Sequence, residues 1–308
     1  MRIVSLLPSA TEIVCEVGLG DQLVGVSHEC DHPAAVRGLP RLTRSLLDPA
    51  ASSGAIDAAV RERMRSRQPL YALDGAALEA LRPDLVVTQA LCDVCAVAEA
   101  DVEAAACRLP GRPRVLNLEP HSLAEVLDAH VAVAAAAGRE PLGLAARGRL
   151  QARIDAIAAR SARISTRPGV VVLEWLDPPF TAGHWTPEIV QLAGGRELLG
   201  HAGEKSRRAE WKEIHAADPD LLAIALCGFD VPRSRLDLPL LARAPGTAGL
   251  SAVRAGAVWL FDGNAHFSRP GPRLVEALEL LAHALHPDVH PLPPGLAAAE
   301  RIELAETG

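Results

Sequence analysis

Large rings are scarce in this chain, with four Trp, four Phe and one Tyr among 308 residues, so the places where those nine fall carry information. Cysteine is also sparse. Six thiols in so long a chain are too few for a disulfide scaffold, which leaves reduced thiols or metal ligands. No apolar run reaches the 18 or so residues that a membrane span needs, because Pro, Asp, Glu or Arg interrupts each one. The 31 basic residues are scattered and outweighed by 38 acidic ones, giving a formal charge of −7, which argues against nucleic acid or an anionic membrane as partner. There is no glycine-rich phosphate loop ending in Lys-Ser/Thr, no GxSxG elbow and no HExxH helix. The opening MRIVSLLPSATEIVCEVGLG lacks the features of a signal peptide: Pro8, Ser9, Thr11 and Glu12 cut its apolar stretch short, and no small-x-small site follows. Val14 before Cys15 fails a lipobox. The expectation is therefore a cytoplasmic protein whose first β-strand starts at residue 2.

What is present is an ordinary globular balance, 49% apolar and 22% charged, with length for about two domains. Short apolar runs at Ile3 to Leu7, Leu23 to Val26, Leu85 to Thr88 and Val115 to Leu118 alternate with Ala- and Leu-rich helical patterns. That rhythm predicts a mostly parallel α/β sheet over residues 1–125. Residues 126–167 support helices only. The alternation resumes at 168–288, with strands at Val170 to Leu173, Leu221 to Leu226 and Ala257 to Phe261 and a closing helix from Arg273 to Leu285. The tail, 289–308, is rich in Pro and small residues and is expected to run loosely over the surface. LRPDLVV at 81–87 and ADPDLLA at 217–223 both place Pro-Asp before an apolar strand, which points to two similarly built lobes.

Ligands of parallel α/β sheets bind beyond the carboxyl ends of the strands, so the residues that follow each strand are the candidates. They include Ser27-His28-Glu29-Cys30-Asp31-His32, Cys92-Asp93-Val94-Cys95, Glu119-Pro120-His121, Glu174-Trp175, His184-Trp185, Cys227-Gly228-Phe229, and Asp262, Asn264 and His266. Six of the nine rings (Trp175, Phe180, Trp185, Phe229, Phe261, Phe267) lie at or just after these ends, as a cleft lining would. Plainer explanations compete. A single CxxC at Cys92 and Cys95 is satisfied by small residues in a helix's first turn, and His28 and Cys30 by surface or capping roles. Glu174 has no apolar reason to end a strand, which favours a cleft role. Arg269 and Arg273 fit an anion clamp or a solvated helix start equally well.

The segments RIVSLLPSATEIVCEVGLGDQLVGVSHECDHP, LRPDLVV, PPFTAG, LAGGRELLG, DPDLLA and FSRPGPRLVEALELLAHAL resemble the cobalamin-binding proteins of ABC importers. That group shares its fold with carriers of ferric siderophores and haem. The resemblance runs from residue 1 to about 288. It implies two α/β lobes with mostly parallel sheets, bridged by a long rigid helix around residues 142–164, and a ligand in the cleft between them. It implies cobalamin, another corrinoid or a related metal chelate as ligand, bound by His28, Glu29, Arg44, Glu174, Trp175, Phe180, Trp185, Phe229, His266, Phe267 and Arg269. Where the family places aromatic residues against the corrin, this sequence has Glu29, Arg44 and His266. Its permease-facing glutamates fall on Ala76 and Lys212, with Glu79 and Glu213 nearby, so docking to an ABC permease is not expected. Residues 46–74 are an insertion with a helix expected from Ser53 to Arg65. The alternative is a metal-dependent enzyme that uses the same cleft. Its transition metal would sit on Cys30, Cys92 and Cys95, with His28, Glu174, His184 or His266 as further ligands or acid/base groups.

Overall fold

The computed structural model describes residues 1–89, 102, 105–107, 109 and 111–304. The chain divides into two units, Met1–Ala51 with Ala55–Pro120 and Ala124–Leu150, and Ser52–Gly54 with His121–Leu123 and Gln151–Gly308. Both are α/β.

The first unit is built on a sheet of β1 (Ile3–Ser5), β2 (Leu23–Val26), β5 (Leu85–Gln89) and β6 (Arg114–Leu118), in the order β2-β1-β5-β6 with every pairing parallel. Such a sheet is covered on both faces, so its strands read as unbroken apolar runs. Adjacent residues then enter different cores: Ile3, Leu85 and Val87 pack on one side with the helix Pro8–Glu16, while Val4 and Val86 pack on the other with Leu78 and Leu81. β1 stops at Ser5, short of the expected Leu7, because Pro8 starts a helix, where a proline's missing N–H costs nothing. The insertion supplies β4 (Tyr71–Leu73), which pairs antiparallel with β3 (Thr43–Ser45) just before the insertion, and the helix between them spans Ser53–Arg65 as its pattern predicts.

The second unit's sheet is mixed. β7 (Gly169–Leu176), β11 (Leu221–Ile224) and β12 (Val258–Leu260) are parallel and central, and Val170 to Leu173 are wholly buried. β8 (Pro179–Thr181) folds back antiparallel on β7, with β10 (Arg207–Arg208) outside it, and β9 (Arg196–Glu197) pairs with the start of β7. The remaining edge is closed by β13 (Glu300–Ile302), antiparallel to β12. This corrects the expected loose tail. Ile302 joins the apolar core, and His290 is 1% exposed with its Nε2 on Ser161 Oγ at 3.0 Å. Proline richness kept the tail out of helices without keeping it out of the fold.

The Pro-Asp echo has a shared geometry. Asp84 accepts the backbone N–H of Arg2 at 2.7 Å, and Asp220 accepts that of Gly169 at 2.7 Å, so each carboxylate ties the start of its strand to the start of the neighbouring parallel one. Before each lies a helix of seven residues, Gly75–Leu81 or Trp211–Ala217, that ends on a left-handed residue, Arg82 (φ 44) or Asp218 (φ 37). Between the two sheets in sequence lie the helices Leu123–Ala136 and Glu140–Ser161. The second of these, with 22 residues, continues from the first unit into the second. Gly143 lets it lie close against its predecessor, since a Cβ there would come within 2.6 Å of the His130 carbonyl oxygen.

Candidate functional site

At the carboxyl end of β2, His28 is held from two directions. Its backbone N–H donates to Thr43 Oγ1 (3.0 Å), and its Nδ1 shares a 2.7 Å hydrogen bond with the same hydroxyl. The ring lies 5.6 Å from that of Tyr71, and Nε2 is 3.8 Å from Glu29 Oε1. Burial, and then the charge of Arg41, lower the imidazole's pKa. At neutral pH His28 is therefore an uncharged ring, with Nδ1 engaged and Nε2 turned to its carboxylate neighbour. Strand alternation puts Thr43 and Tyr71, two register positions apart on paired strands, on the same face of the β3–β4 ribbon. It puts Arg44 on the opposite face, exposed, so the structure does not bring Arg44 to His28. Cys30 is also corrected as a metal ligand. It is 1% exposed, and its thiol lies 3.1 Å from both Thr11 Oγ1 and Ser27 Oγ, within the core. Cys92 and Cys95 lie outside the described residues. Among the described residues no three His, Cys, Asp or Glu side chains gather as a metal site would require.

In the second unit β7, β11 and β12 are neighbours and parallel, so the residues that follow them share one edge of the sheet. The β7–β8 register shifts between Leu173 and Trp175, leaving Glu174 as the extra residue of a bulge, a device that re-aims a side chain. Its Oε2 accepts a hydrogen bond from Ser206 Oγ. Trp175 is tied by Nε1 to the Asp177 carbonyl (3.1 Å) and lies 4.9 Å from Phe229, whose other neighbour is the Arg233 guanidinium, 4.0 Å from the ring centroid. This Trp–Phe–Arg stack is anchored by Asp237, 3.3 Å from Arg233, and by Asp230, which caps the helix Val231–Arg235. Phe180 is half-buried on β8.

After β12, Asp262 caps a short π-helical turn, Gly263–Phe267, by accepting from the Ala265 N–H (2.7 Å). His266 on that turn places Nε2 3.3 Å from Glu276, and its buried Nδ1 has no hydrogen-bond partner among the described residues. Burial works to raise the Glu276 carboxyl, but the hydrogen bond and charge of His266, with Arg153 and Arg273, outweigh it and hold the pKa below its ordinary value. Three predicted contacts turn out to be supports. Phe267 is 2% exposed and packs edge-on against Phe261; Trp185 is 5% exposed and donates Nε1–H to the Phe267 carbonyl; Arg269 is 6% exposed and bonds Asn264 Oδ1 at 2.9 Å. Together they hold the His266 turn.

Several neighbours carried no motif. Tyr71 is the one tyrosine and starts a strand inside the insertion, a signal that composition offered. Thr43, Ser206 and Arg233 are ordinary surface types whose roles appear only once strands pair. His184 adopts φ 52 and stacks with His121 at 6.1 Å. Burial, and then His121 and Lys205, lower its pKa.

The fold is that of the two-lobed periplasmic binding proteins. The solved periplasmic heme-binding protein from Pseudomonas aeruginosa has a TM-score of 0.71 at 23% identity, over 98% of each chain. The periplasmic vitamin B12 binding protein of Vibrio cholerae has a TM-score of 0.66 at 20% identity, over 92% of this chain and 96% of that one. In sequence, the chain is similar to the vitamin B12-binding protein of Vibrio cholerae serotype O1, 23% identical over 90% of this chain and 86% of the relative. No family model matches it. These relatives overturn the cytoplasmic expectation, since both solved proteins are periplasmic. The expectation had rested on reading the first residues, which fold as β1 and the helix Pro8–Glu16.

Proposed function

We propose that this chain binds a corrinoid or a related planar metal chelate, with cobalamin the first ligand to try. What carries the reading is the likeness to a vitamin B12-binding protein along nine-tenths of the chain. The geometry is consistent with it: polar and aromatic groups collect at the carboxyl edges of both sheets, His28 with Tyr71 in one unit and Glu174 with the Trp175–Phe229–Arg233 stack in the other. Optical titration tests it. Cyanocobalamin or cobinamide should saturate the protein, and heat-free, spectrally silent mixing with both would refute the corrinoid reading.

Haem is the second reading, and a particular observation favours it. An uncharged imidazole and a phenol lie side by side at one strand end, and both are residue types that hold haem iron. If haem is the ligand, hemin should give a shifted Soret band that changes position in His28→Ala and Tyr71→Phe, while cobinamide binding is weak. An unchanged band in both variants would remove this reading. The metal-dependent enzyme alternative loses its first ligand, since the Cys30 thiol is enclosed by hydroxyls. Permease docking through the expected positions is not part of the proposal. Ala76 offers no charge, Lys212 pairs with Glu210 at 2.8 Å, and Glu213 is engaged by Arg207 and the Glu210 N–H.

A further inference from the structure

The amino end of the second unit's central strand carries a pocket that chelate binding does not use. Its volume is about 690 Å³, and it lies where the long helix runs out after Ser161 and the chain turns into β7. β7 has eight residues, so this pocket is about 17 Å from Glu174 along the strand, at the opposite edge of the sheet.

Its charge is of one sign. Arg160 and Arg163 line it, and no Asp or Glu does; Asp288, adjacent in sequence, is exposed and outside the lining. Arg160 spends Nε–H on His290 Nδ1 (3.3 Å), an acceptor without charge, because burial and then Arg160 itself push that imidazole down to about 4. The Arg163 side chain has no hydrogen bond or ion pair with any described residue. Two guanidinium groups therefore line one pocket with no carboxylate partner among the described residues. The N–H groups of Arg163 and Ile164 cap Arg160 O and Ser161 O, so these two carbonyls are engaged, and the two guanidinium charges stand against the remaining negative end of the helix dipole. Hydroxyls of Ser165 and Thr166 and the ring of His286, whose Nε2 lies 3.1 Å from the Gly194 carbonyl, complete the polar side, and Ile164, Pro168 and Val289 form an apolar wall.

We propose that this pocket binds a small organic anion, a carboxylate or phosphate ester with an apolar body, its oxyanion on Arg160 and Arg163 and its body against Ile164, Pro168 and Val289. Planar, multi-donor guanidinium groups suit such oxyanions. The proposal stands independently of the chelate.

Calorimetric titration of the full chain with benzoate, phenyl phosphate, inorganic phosphate and benzyl alcohol tests it. At least one aromatic anion should saturate with a Kd below about 1 mM, corresponding to a little over 4 kcal/mol. Inorganic phosphate should bind at least tenfold more weakly, and benzyl alcohol should not saturate. Arg163→Ala should weaken the anion tenfold or more, Arg163→Lys less, and Val289→Asp should abolish binding while leaving the melting temperature unchanged. Binding should also persist when the protein is loaded with cobinamide or hemin. Overturning results are no saturation by either anion, equal binding of benzyl alcohol, indifference to Arg163→Ala, or loss of the anion on loading with the chelate.

Discussion

His290 stays neutral in the folded chain because its ring is enclosed by Ser161 and Arg160, and burial with the Arg160 charge takes its pKa from an ordinary 6.5 to about 4. The unfolded chain takes up that proton first. Stability from this group is therefore complete above about pH 6.5 and is lost as the pH falls toward 4, by on the order of 2–3 kcal/mol. In urea unfolding, the gap between wild type and His290→Gln should narrow steadily from pH 7 to 4.5; a constant gap would contradict the assignment. Glu276 acts in the same direction at lower pH, its depressed carboxyl losing its contribution as acid protonates it. Trp175 behaves differently from its sequence reading. At 9% exposed and packed on Phe229, it is foremost a core residue, so Trp175→Ala should cost about 3–5 kcal/mol of stability by chemical denaturation, whatever it does to ligand affinity. Its position at a strand end was legible. Its burial was not, because that depends on Phe229, backed by Arg233, arriving from the loop and helix that follow β11.

At the level of elements, the two Pro-Asp turns make a controlled comparison. Arg82 and Asp218 both end helices at positive φ, a conformation that costs a non-glycine residue roughly 1 kcal/mol. Arg82→Gly should raise stability by up to about 1 kcal/mol, because its side chain makes no hydrogen bond or ion pair with any described residue. Asp218→Gly should not, since that carboxylate accepts from Ser251 N (2.7 Å) and Ser251 Oγ (2.8 Å). A thermal melt of both variants decides this, and equal gains would refute it. The long helix is anchored in the second unit by Arg153, which grips Glu279 with Nε at 3.0 Å and a terminal nitrogen at 2.8 Å. Glu279 is 8% exposed, so Arg153→Ala leaves a nearly buried carboxylate without this partner and should cost about 1–3 kcal/mol at neutral pH. The helix itself was visible as a long run of mostly helix-forming residues, with only Gly143 and Gly148 against it after Pro141. Its register against Glu279 was not, being 126 residues away.

For the whole molecule, the tail is the sharpest departure from expectation. Removing the chain from Pro287 onward would uncover the Val258–Leu260 edge, take Ile302 out of the core and leave Ser161 without His290. Such a truncation should melt earlier and aggregate, as unpaired edges do, and a melting temperature equal to that of the full chain would show the tail to be dispensable. The sequence by itself determined the α/β class, seven of the strands, the helix Ser53–Arg65 and the helical connector, because alternation of apolar runs and turn residues is local and is dictated by burial on both faces of a parallel sheet. Only the tertiary structure decided that Cys30 is enclosed by hydroxyls, that Thr43 and Tyr71 rather than Arg44 meet His28, and that a proline-rich tail closes a sheet. Those outcomes turn on strand register and on partners distant in sequence. A period read along one segment specifies which face a residue occupies and leaves open what packs against it.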